Sequence, residues 1–300
     1  MENTFLITKC MLRPSEGSSL QEDYDIIAGN PIIDYYESIE SPSISMTVTF
    51  IDVDQVIGRK GITGGEYIDV IVKTDDEDAD DFKITTEKQK MMLNSVRNMV
   101  TESNKQVATL EFVSVETIVN ETARLNKKYT GNISDTVVEL LVGDSKGIQT
   151  SKTLFGPKKK ELGETNVEED RATNSYSFVG NLKRPFDTIQ WLCPKAQSAT
   201  DDFGFLFYET LDGYHFRSIK SLLEQEAIPY QQADRPIEGN KILQNNLEQT
   251  NDIGINLRLG MYANRTLFVD IENHTLKEVD FDIDKLKDIK TVSYTHLRAH

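Results

Sequence analysis

The sequence predicts a mainly β protein of the α+β class, with an antiparallel β-barrel or sandwich first and a smaller mixed region after it. Short segments of alternating apolar and polar residues fill the first part of the chain, and this period of two is typical of half-buried strands. Gly-rich and acidic turns separate the segments, which favours antiparallel strands over βαβ units. Further along, a helix that starts with proline is followed by an aromatic hairpin.

The N-terminal strands are predicted from the faces that their apolar residues share. Ile44, Met46, Val48 and Phe50 recur at every second position, so all four would point to the same side of one strand. The same reasoning applies to the other segments of this region. The predicted strands run from Thr4 to Leu12, from Ser43 to Ile51, from Tyr67 to Val72, from Phe82 to Val100 and from Gln106 to Val119.

Helical patterns follow these strands. Ser134 can cap a helix, because Ile133 and Val138 are placed as a hydrophobic staple and Gly143 follows the apolar run at the expected end. Residues 117–129 are predicted as a further helix. The chain therefore changes from strands to a mixed region at this point.

The most informative segment is residues 184–218, RPFDTIQWLCPKAQSATDDFGFLFYETLDGYHFRSI. Pro185 is predicted to open a helix and Pro194 to end it. Trp191 is predicted to belong to the core, so Trp191→Ala would lower the free energy of unfolding by roughly 3–5 kcal/mol if the ring is buried. Asp212-Gly213 is predicted as a two-residue hairpin turn. That turn would place Leu211 opposite Tyr214, Thr210 opposite His215, Glu209 opposite Phe216 and Tyr208 opposite Arg217.

The C-terminal part returns to strands after a polar connector, residues 224–240. Strands are predicted from Ile255 to Arg258 and from Arg265 to Ile271. The last residues, 292–300, resemble a sequencing-adapter translation, which predicts that the natural protein continues past residue 291. An ordinary C-terminal strand is the alternative for this segment.

Composition limits the possible partners. The net charge of −16 argues against nonspecific binding to nucleic acid and against docking on anionic lipid, because both depend on Lys and Arg. No apolar run approaches the length of a membrane-spanning helix, and the N-terminus lacks the pattern of a signal peptide. Cys10 and Cys193 lie in apolar surroundings, so a reducing compartment and two core thiols are expected, without disulfide or zinc site.

Residues suited to catalysis or metal binding are few. His215 lies on the hairpin, His274 in a turn, and His296 and His300 in the final segment; none has a partner at metal-ligand spacing. No G-x-S-x-G nucleophile motif occurs. The GITGG segment, residues 61–65, lacks the Lys-Ser/Thr ending of a phosphate-binding loop and is predicted as a hairpin turn.

One acidic segment partly matches a calcium-binding loop. Asp76, Asp78, Asp80 and Glu87 occupy the first, third, fifth and twelfth positions of such a loop, but Asp81 stands where the loop needs glycine. A solvated hairpin tip is the favoured interpretation. With 49 acidic residues, some pair of carboxylates suited to glycoside cleavage is expected by chance. The sequence therefore predicts no catalytic, cofactor-binding or metal-binding residue.

Three segments carry a family resemblance. RPFDTIQWLCPKAQ and GFLFYETLDGYHFRSI, within residues 184–218, and LRLGMYANRTLFVDI, at residues 257–271, resemble baseplate hub proteins of contractile-tailed, myovirus-type phages, especially those of marine samples. The similarity is clearest over residues 171–271. These are packing motifs, so they indicate a lineage and no reaction.

The resemblance implies a non-enzymatic virion protein with tail-tube-like antiparallel β-barrel domains and a small inserted α+β domain. Residues 1–118 would form a barrel domain, residues 119–236 the inserted domain with a long charged loop at 147–175, and residues 237–300 further, truncated barrel material. A homotrimer would form a ring between the tail tube and the central spike, beside other baseplate proteins. DNA would pass through its lumen without specific binding. The protein would be made in the host cytoplasm and act in the tail baseplate, away from membranes.

Two other classes of function remain open. A β-rich hydrolase of cell-wall glycan would carry an exposed pair of carboxylates, and a turnover assay on peptidoglycan separates it from a hub. A calcium- or sugar-binding adhesion module would use the acidic turn at residues 75–81, and calorimetry with calcium tests it.

Overall fold

The computed structural model of the chain describes the following parts of the sequence. They comprise residues 5–18, 20–53, 55–62, 64–74, 81–87, 89–102, 105–143, 146–156, 170–198, 204–225, 253–260, 262–271 and 273–282. The chain forms two compact units, residues 1–223 and residues 224–300. Antiparallel sheet dominates, so the predicted mainly β fold class is confirmed.

Eight of the strands that the structure describes form a single antiparallel sheet. Its order is β2-β1-β5-β7-β8-β4-β3, with β6 paired beside β5. The strands are Phe5–Arg13 (β1), Tyr24–Asp25 (β2), Ile32–Tyr36 (β3), Ser45–Asp52 (β4), Tyr67–Thr74 (β5), Phe82–Ile84 (β6), Met91–Glu102 (β7) and Lys105–Ser114 (β8). The short helix Val56–Lys60 (α1) connects β4 to β5.

The sheet curls around one apolar core. Ile44, Met46, Val48 and Phe50 all point into it and are buried, as their spacing predicts. The curl brings distant strands together, because the Tyr35 ring on the end strand β3 lies 5.1 Å from the Phe82 ring on β6. The strand arrangement is therefore barrel-like, with the apolar faces inside.

Helices and short strands build a second core after the sheet. The helices are Val115–Thr122 (α2), Ile133–Val138 (α3), Pro185–Leu192 (α4) and Ile219–Leu223 (α5); a π-helical turn, Glu139–Gly143, continues α3, and a 3-10 turn, Cys193–Lys195, follows α4. The strands are Lys128–Tyr129 (β9), Thr153–Phe155 (β10), Phe178–Val179 (β11), Phe205–Thr210 (β12) and Gly213–Ser218 (β13). Strands β9 and β11 pair with each other, while β13 lies between β10 and β12.

Two helix predictions in this region are wrong in detail. The chain leaves β8 at Ser114 and turns into α2, so the strand does not reach Val119 and the helix ends at Thr122, short of Tyr129. The cap of α3 is Asn132, whose side chain accepts a hydrogen bond from the Ser134 backbone N–H at 2.8 Å. The Ser134 hydroxyl instead accepts from the Ala172 backbone N–H, 2.9 Å away.

The charged region 147–175 is not wholly an exposed loop. Ile148, Thr150 and Ala172 are buried, and β10 pairs in parallel with β13. The segment has few apolar residues, so its local pattern does not predict a strand. Its partner β13 is distant in sequence, as is usual for a parallel pairing. Residues 157–169, which carry most of the charges, lie outside the described residues.

The proline-started helix is confirmed, and α4 ends at Leu192 before Pro194. The predicted hairpin register is wrong. Thr210 pairs with Gly213, so the two-residue turn is Leu211-Asp212 and each partner shifts by two positions. A Cβ at Gly213 would lie 2.2 Å from the Thr153 carbonyl oxygen, so the glycine is needed for the close approach of β10. The observed pairs place Glu209 opposite Tyr214, Tyr208 opposite His215, Phe207 opposite Phe216, Leu206 opposite Arg217 and Phe205 opposite Ser218.

The C-terminal unit contains one helix and one hairpin among the described residues. The helix is Ile253–Arg258 (α6), and the hairpin strands are Ala263–Asp270 (β14) and Thr275–Asp282 (β15). The predicted strand from Ile255 to Arg258 is therefore wrong. Gly260 follows the helix with a φ of 74°, and its N–H donates to the Leu257 carbonyl, an arrangement typical of a helix end. The strand predicted from Arg265 is confirmed.

The approach of β10 to β13 gives a test with a matched control. Gly213→Ala is expected to lower the free energy of unfolding by roughly 1–3 kcal/mol, because φ is 146° and the new Cβ would clash with β10. Gly58→Ala in α1, with nothing within 4 Å, is expected to be neutral or stabilising. Urea denaturation of both variants measures the difference; equal stabilities would contradict the pairing of β10.

Candidate functional site

A buried cluster of charged side chains lies where the two cores meet. Glu209 on β12 is 0% exposed, and Lys152, just before β10, places its Nζ atom 2.5 Å from Glu209 Oε1. The same ammonium group lies 2.7 Å from Oε2 of Glu116 on α2. Thr150 donates its hydroxyl hydrogen to the other oxygen of Glu116 at 2.7 Å. One lysine thus serves two carboxylates in a site closed to solvent.

Four donors surround the Glu209 carboxylate. Oε2 accepts from the Ile44 backbone N–H at 3.1 Å and from the Ser114 hydroxyl at 2.7 Å. Oε1 accepts from the Gln89 amide at 3.0 Å and from Lys152. Burial raises the pKa of Glu209, while the charge and hydrogen bond of Lys152 oppose the increase. Since every neighbour donates, the geometry suits the ionised form.

Tyr214 borders the same cluster from β13. Its side chain is 0% exposed, and its ring centroid lies 5.6 Å from Lys152 Nζ. Burial and then the negative charge of Glu209 raise the pKa of the Tyr214 hydroxyl well above its ordinary value. The phenol therefore stays protonated and serves as packing rather than as an acid or base.

This cluster joins the two cores and holds them in one position. Ile44, Gln89 and Ser114 belong to the sheet region, whereas Glu209 and Lys152 belong to the second core. A glycoside-cleaving pair must meet substrate, but Glu209 is fully buried and Glu116 is only slightly exposed. The arrangement can fix geometry, and it offers no surface for chemistry. We name it the junction cluster, consisting of Gln89, Ser114, Glu116, Lys152 and Glu209.

Sequence reasoning missed the junction cluster although one signal was present. Phe205, Phe207 and Glu209 share a face of β12, and all three are buried. A carboxylate on the apolar face of an aromatic strand indicates a buried charge that requires partners. Those partners lie up to 165 residues away in sequence, which no local pattern reveals.

The histidines and cysteines named from the sequence form no common site among the described residues. His215 lies on β13 with its ring stacked between Phe155 and Tyr208, at centroid distances of 4.5 and 4.7 Å. Burial raises the pKa of both Cys10 and Cys193 to about 12, so both thiols stay neutral core residues. His274 lies in the turn between β14 and β15, as predicted, and has a φ of 51°. His296 and His300 lie outside the described residues.

The structure describes the GITGG segment except for Thr63, and of the four residues at calcium-loop positions it describes Glu87. Gly61 ends α1 with a φ of 65° and leads into β5, so the predicted hairpin turn at residues 61–65 is wrong. Glu87 is exposed, while Asp76, Asp78 and Asp80 lie outside the described residues. No group of three or more His, Cys, Asp or Glu side chains suited to a metal ion occurs in the part of the chain that the structure describes.

Trp191 is partly buried and packs against the second core, so it is a peripheral rather than an interior core residue. Tyr176 and Phe178 contact its ring edge-to-face at centroid distances of 5.6 and 5.4 Å. The ammonium groups of Lys183 and Lys195 lie 4.9 and 4.1 Å from the ring centroid. A ring flanked by lysines keeps contact with solvent, so truncation costs less than the roughly 3–5 kcal/mol expected for a core aromatic.

No protein-family model matches the chain, and no curated protein matches it. Solved structures give matches. The chain is similar to the 43 kDa tail protein of prophage MuSo2 from Shewanella oneidensis, at 10% identity and a TM-score of 0.37, over 70% of this chain and 54% of that one. It is also similar to the tail protein from Neisseria meningitidis MC58, at 10% identity and a TM-score of 0.43, over 78% and 57% of the two chains.

A third similar structure is the prophage tail protein gp18 from Listeria monocytogenes EGD-e, at 7% identity and a TM-score of 0.41. That match covers 93% of this chain and 69% of the other. The chain thus spans little more than half the length of the first two proteins. Separately, no helix among the described residues is long and apolar enough to cross a membrane.

Removal of the Glu209 charge tests the junction cluster. Glu209→Gln replaces one carboxylate oxygen with an NH₂ group, which cannot accept hydrogen bonds from the surrounding donors. It also leaves Lys152 without its closest carboxylate. We therefore expect a loss of about 3–5 kcal/mol in the free energy of unfolding. Glu111→Gln removes a partly exposed carboxylate that pairs with Arg97 and should cost about 1 kcal/mol or less. Urea denaturation compares the two variants, and equal losses would contradict the structural role of the cluster.

His215 predicts a pH dependence of stability. Burial, followed by the charge of Arg217, lowers the pKa of His215 from 6.5 to about 4. The unfolded chain therefore binds a proton on this side chain below about pH 6.5 while the folded chain does not, so stability falls as pH drops from 6.5 towards 4.

His215→Phe keeps the ring stack and removes this titration. Its unfolding free energy should fall less than that of the wild type over the same pH range, as measured by urea denaturation at several pH values. His274→Phe, in an exposed turn, is the control and should follow the wild type. Parallel pH profiles for His215→Phe and the wild type would rule out the assignment.

Proposed function

We propose that the chain is a structural, non-enzymatic component of the baseplate hub of a contractile phage tail. In this role it is a ring subunit, trimeric in the assembled tail, that joins the tail tube to the central spike and lets DNA pass. It acts in the virion, after synthesis in the host cytoplasm, and needs no cofactor. Residues 1–118 and 237–300 supply barrel material, and residues 119–236 form the inserted domain.

The observation that carries the proposal is the coupling of a barrel-like sheet to a second core through the junction cluster. A ring subunit in a contractile machine must keep its parts in fixed positions under load. Three hydrogen bonds from the sheet region to Glu209 meet this need, and the ion pairs of Lys152 with Glu209 and Glu116 hold the acceptor in place, since breaking a buried charge pair is costly. The sequence resemblance to hub proteins covers the segment that supplies Glu209.

The charge of the chain supports a role around DNA rather than binding to it. A conduit should repel phosphate groups so that the duplex slides, and the chain carries 49 acidic against 33 basic residues. A reconstructed ring whose lumen proved strongly basic would contradict this part of the proposal.

Light scattering and electron microscopy test the proposed ring. The purified protein should give three times its monomer mass and images of a ring with an open lumen. A monomer that binds no tail protein, or turnover of peptidoglycan by the purified chain, would overturn the proposal. Mass spectrometry of purified virions should find the protein with baseplate components.

A further inference from the structure

A strained turn presents a leucine to solvent. Asn181 and Leu182 both have left-handed backbone conformations, with φ values of 49° and 59°, in the turn between β11 and α4. The Leu182 N–H donates to the Leu125 carbonyl at 2.7 Å, and the Gly180 N–H donates to the Lys127 carbonyl at 2.9 Å, so the conformation is fixed. Leucine is unfavourable in this conformation, which glycine or asparagine adopts more easily.

Folding does not account for Leu182, because its side chain is 64% exposed. Val179 is 63% exposed and lies directly opposite Lys128 across the β9–β11 pair. Lys183 follows Leu182 and is exposed as well. These residues lie on the paired strands β9 and β11 and in the turn after β11, and we call the surface that they form the basic tip, consisting of Lys128, Val179, Leu182 and Lys183. Within the described residues, neither Lys128 nor Lys183 forms an ion pair with a carboxylate.

A surface of opposite charge lies on the end strand of the sheet. Ile32, Asp34 and Tyr36 alternate along the exposed face of β3, and residues 37–40 continue it. Ile32 and Tyr36 are 64% and 55% exposed, so this surface is apolar as well as acidic. No Lys or Arg occurs in the sequence between Arg13 and Arg59. The acidic edge, as we name it, consists of Ile32, Asp34, Tyr36, Glu37, Ile39 and Glu40.

We infer that the basic tip of one copy of this chain docks on the acidic edge of the next copy. Copies with a net charge of −16 repel each other, so a stable contact between them needs a local match of opposite charges. The tip and the edge differ, so the contact is head-to-tail, the type that closes into rings. Exposed apolar side chains on both surfaces supply the buried centre of the contact.

This inference deepens the proposed ring and rests on it, because it names the surfaces through which the subunits meet. Strain at Leu182 fits such a role, since an unfavourable backbone held by surrounding hydrogen bonds is typical of binding sites. Trp191 contacts the basic tip, because the Lys183 ammonium group lies 4.9 Å from its ring centroid.

A charge-swap experiment on the full chain tests the contact. The tip variant carries Lys128→Glu and Lys183→Glu, and the edge variant carries Asp34→Lys and Glu40→Lys. Analytical ultracentrifugation should show self-association of the wild type that weakens with salt, and each variant alone should associate at least about tenfold more weakly. A mixture of the two variants should restore only part of the wild-type association. In the mixture, the acidic tip of one variant pairs with the basic edge of the other, and the unchanged tip pairs with the unchanged edge. Contacts between two copies of the same variant remain repulsive, so recovery is incomplete.

Control variants separate the contact from general charge effects. Lys73→Glu and Glu22→Lys make the same kinds of charge change at exposed positions outside both surfaces, and both should associate as the wild type does. Leu182→Asn should keep or raise the melting temperature while it weakens association. This opposite movement of stability and association would not arise from a purely structural role.

Each result decides the inference. If the wild type associates and the tip and edge variants associate equally well, the contact is wrong while the ring proposal stands. If the wild type remains monomeric at high protein concentration and low salt, the contact is wrong, and virion mass spectrometry still decides the proposed function. Weak variants whose mixture shows no recovery would also overturn the pairing of tip with edge.

Discussion

The structure depends on one buried carboxylate, that of Glu209. A charge without solvent is tolerated only if donors surround it, and here the donors come from both cores. The Ile44 amide and the Gln89 and Ser114 side chains approach from the sheet region, and Lys152 approaches from the other side. Since hydrogen bonds weaken steeply with distance and angle, this arrangement restricts movement of the two cores against each other.

Other features bring these groups to the junction. Helix α2 begins directly after β8, so Glu116 reaches the cluster only a few residues after the sheet ends. Strand β10 must lie close to β13 to carry Lys152 into place, and glycines at the contact permit this approach. A Cβ at Gly156 would lie 2.0 Å from the Phe216 carbonyl oxygen. The missing side chains of these glycines therefore allow Lys152 to reach the cluster.

Local patterns predict the parts of this fold that depend on local forces. The face shared by Ile44, Met46, Val48 and Phe50 follows from pleated geometry, and Pro185 fixes the start of α4 by its own ring. The predicted hairpin register is wrong because Asp212-Gly213 matches the sequence of a common two-residue turn. Gly213 instead lies in β13, where the absence of a side chain allows β10 to approach. Strand β10 lies about sixty residues earlier in the sequence.

Local patterns predict neither the junction cluster nor the two surfaces proposed for the contact between copies. The junction cluster and the basic tip combine residues that are distant in sequence, whereas the acidic edge lies within residues 32–40 and is recognised only from the exposure of its side chains. The signal for Glu209 lies in its two neighbours on the same face of β12, Phe205 and Phe207, which are buried with it. Leu182 is unusual only in its left-handed backbone conformation and its exposure, and the sequence shows neither.

The long sequence separations at Glu209 also set an order of events during synthesis. The Ile44 amide is made 165 residues before the carboxylate that it contacts, and the Gln89 amide 120 residues before. Until the ribosome has produced β12, these buried donors have no acceptor and the sheet region lacks its final partner. The nascent sheet therefore matures late, and the chain acquires its finished shape only once the second core has emerged.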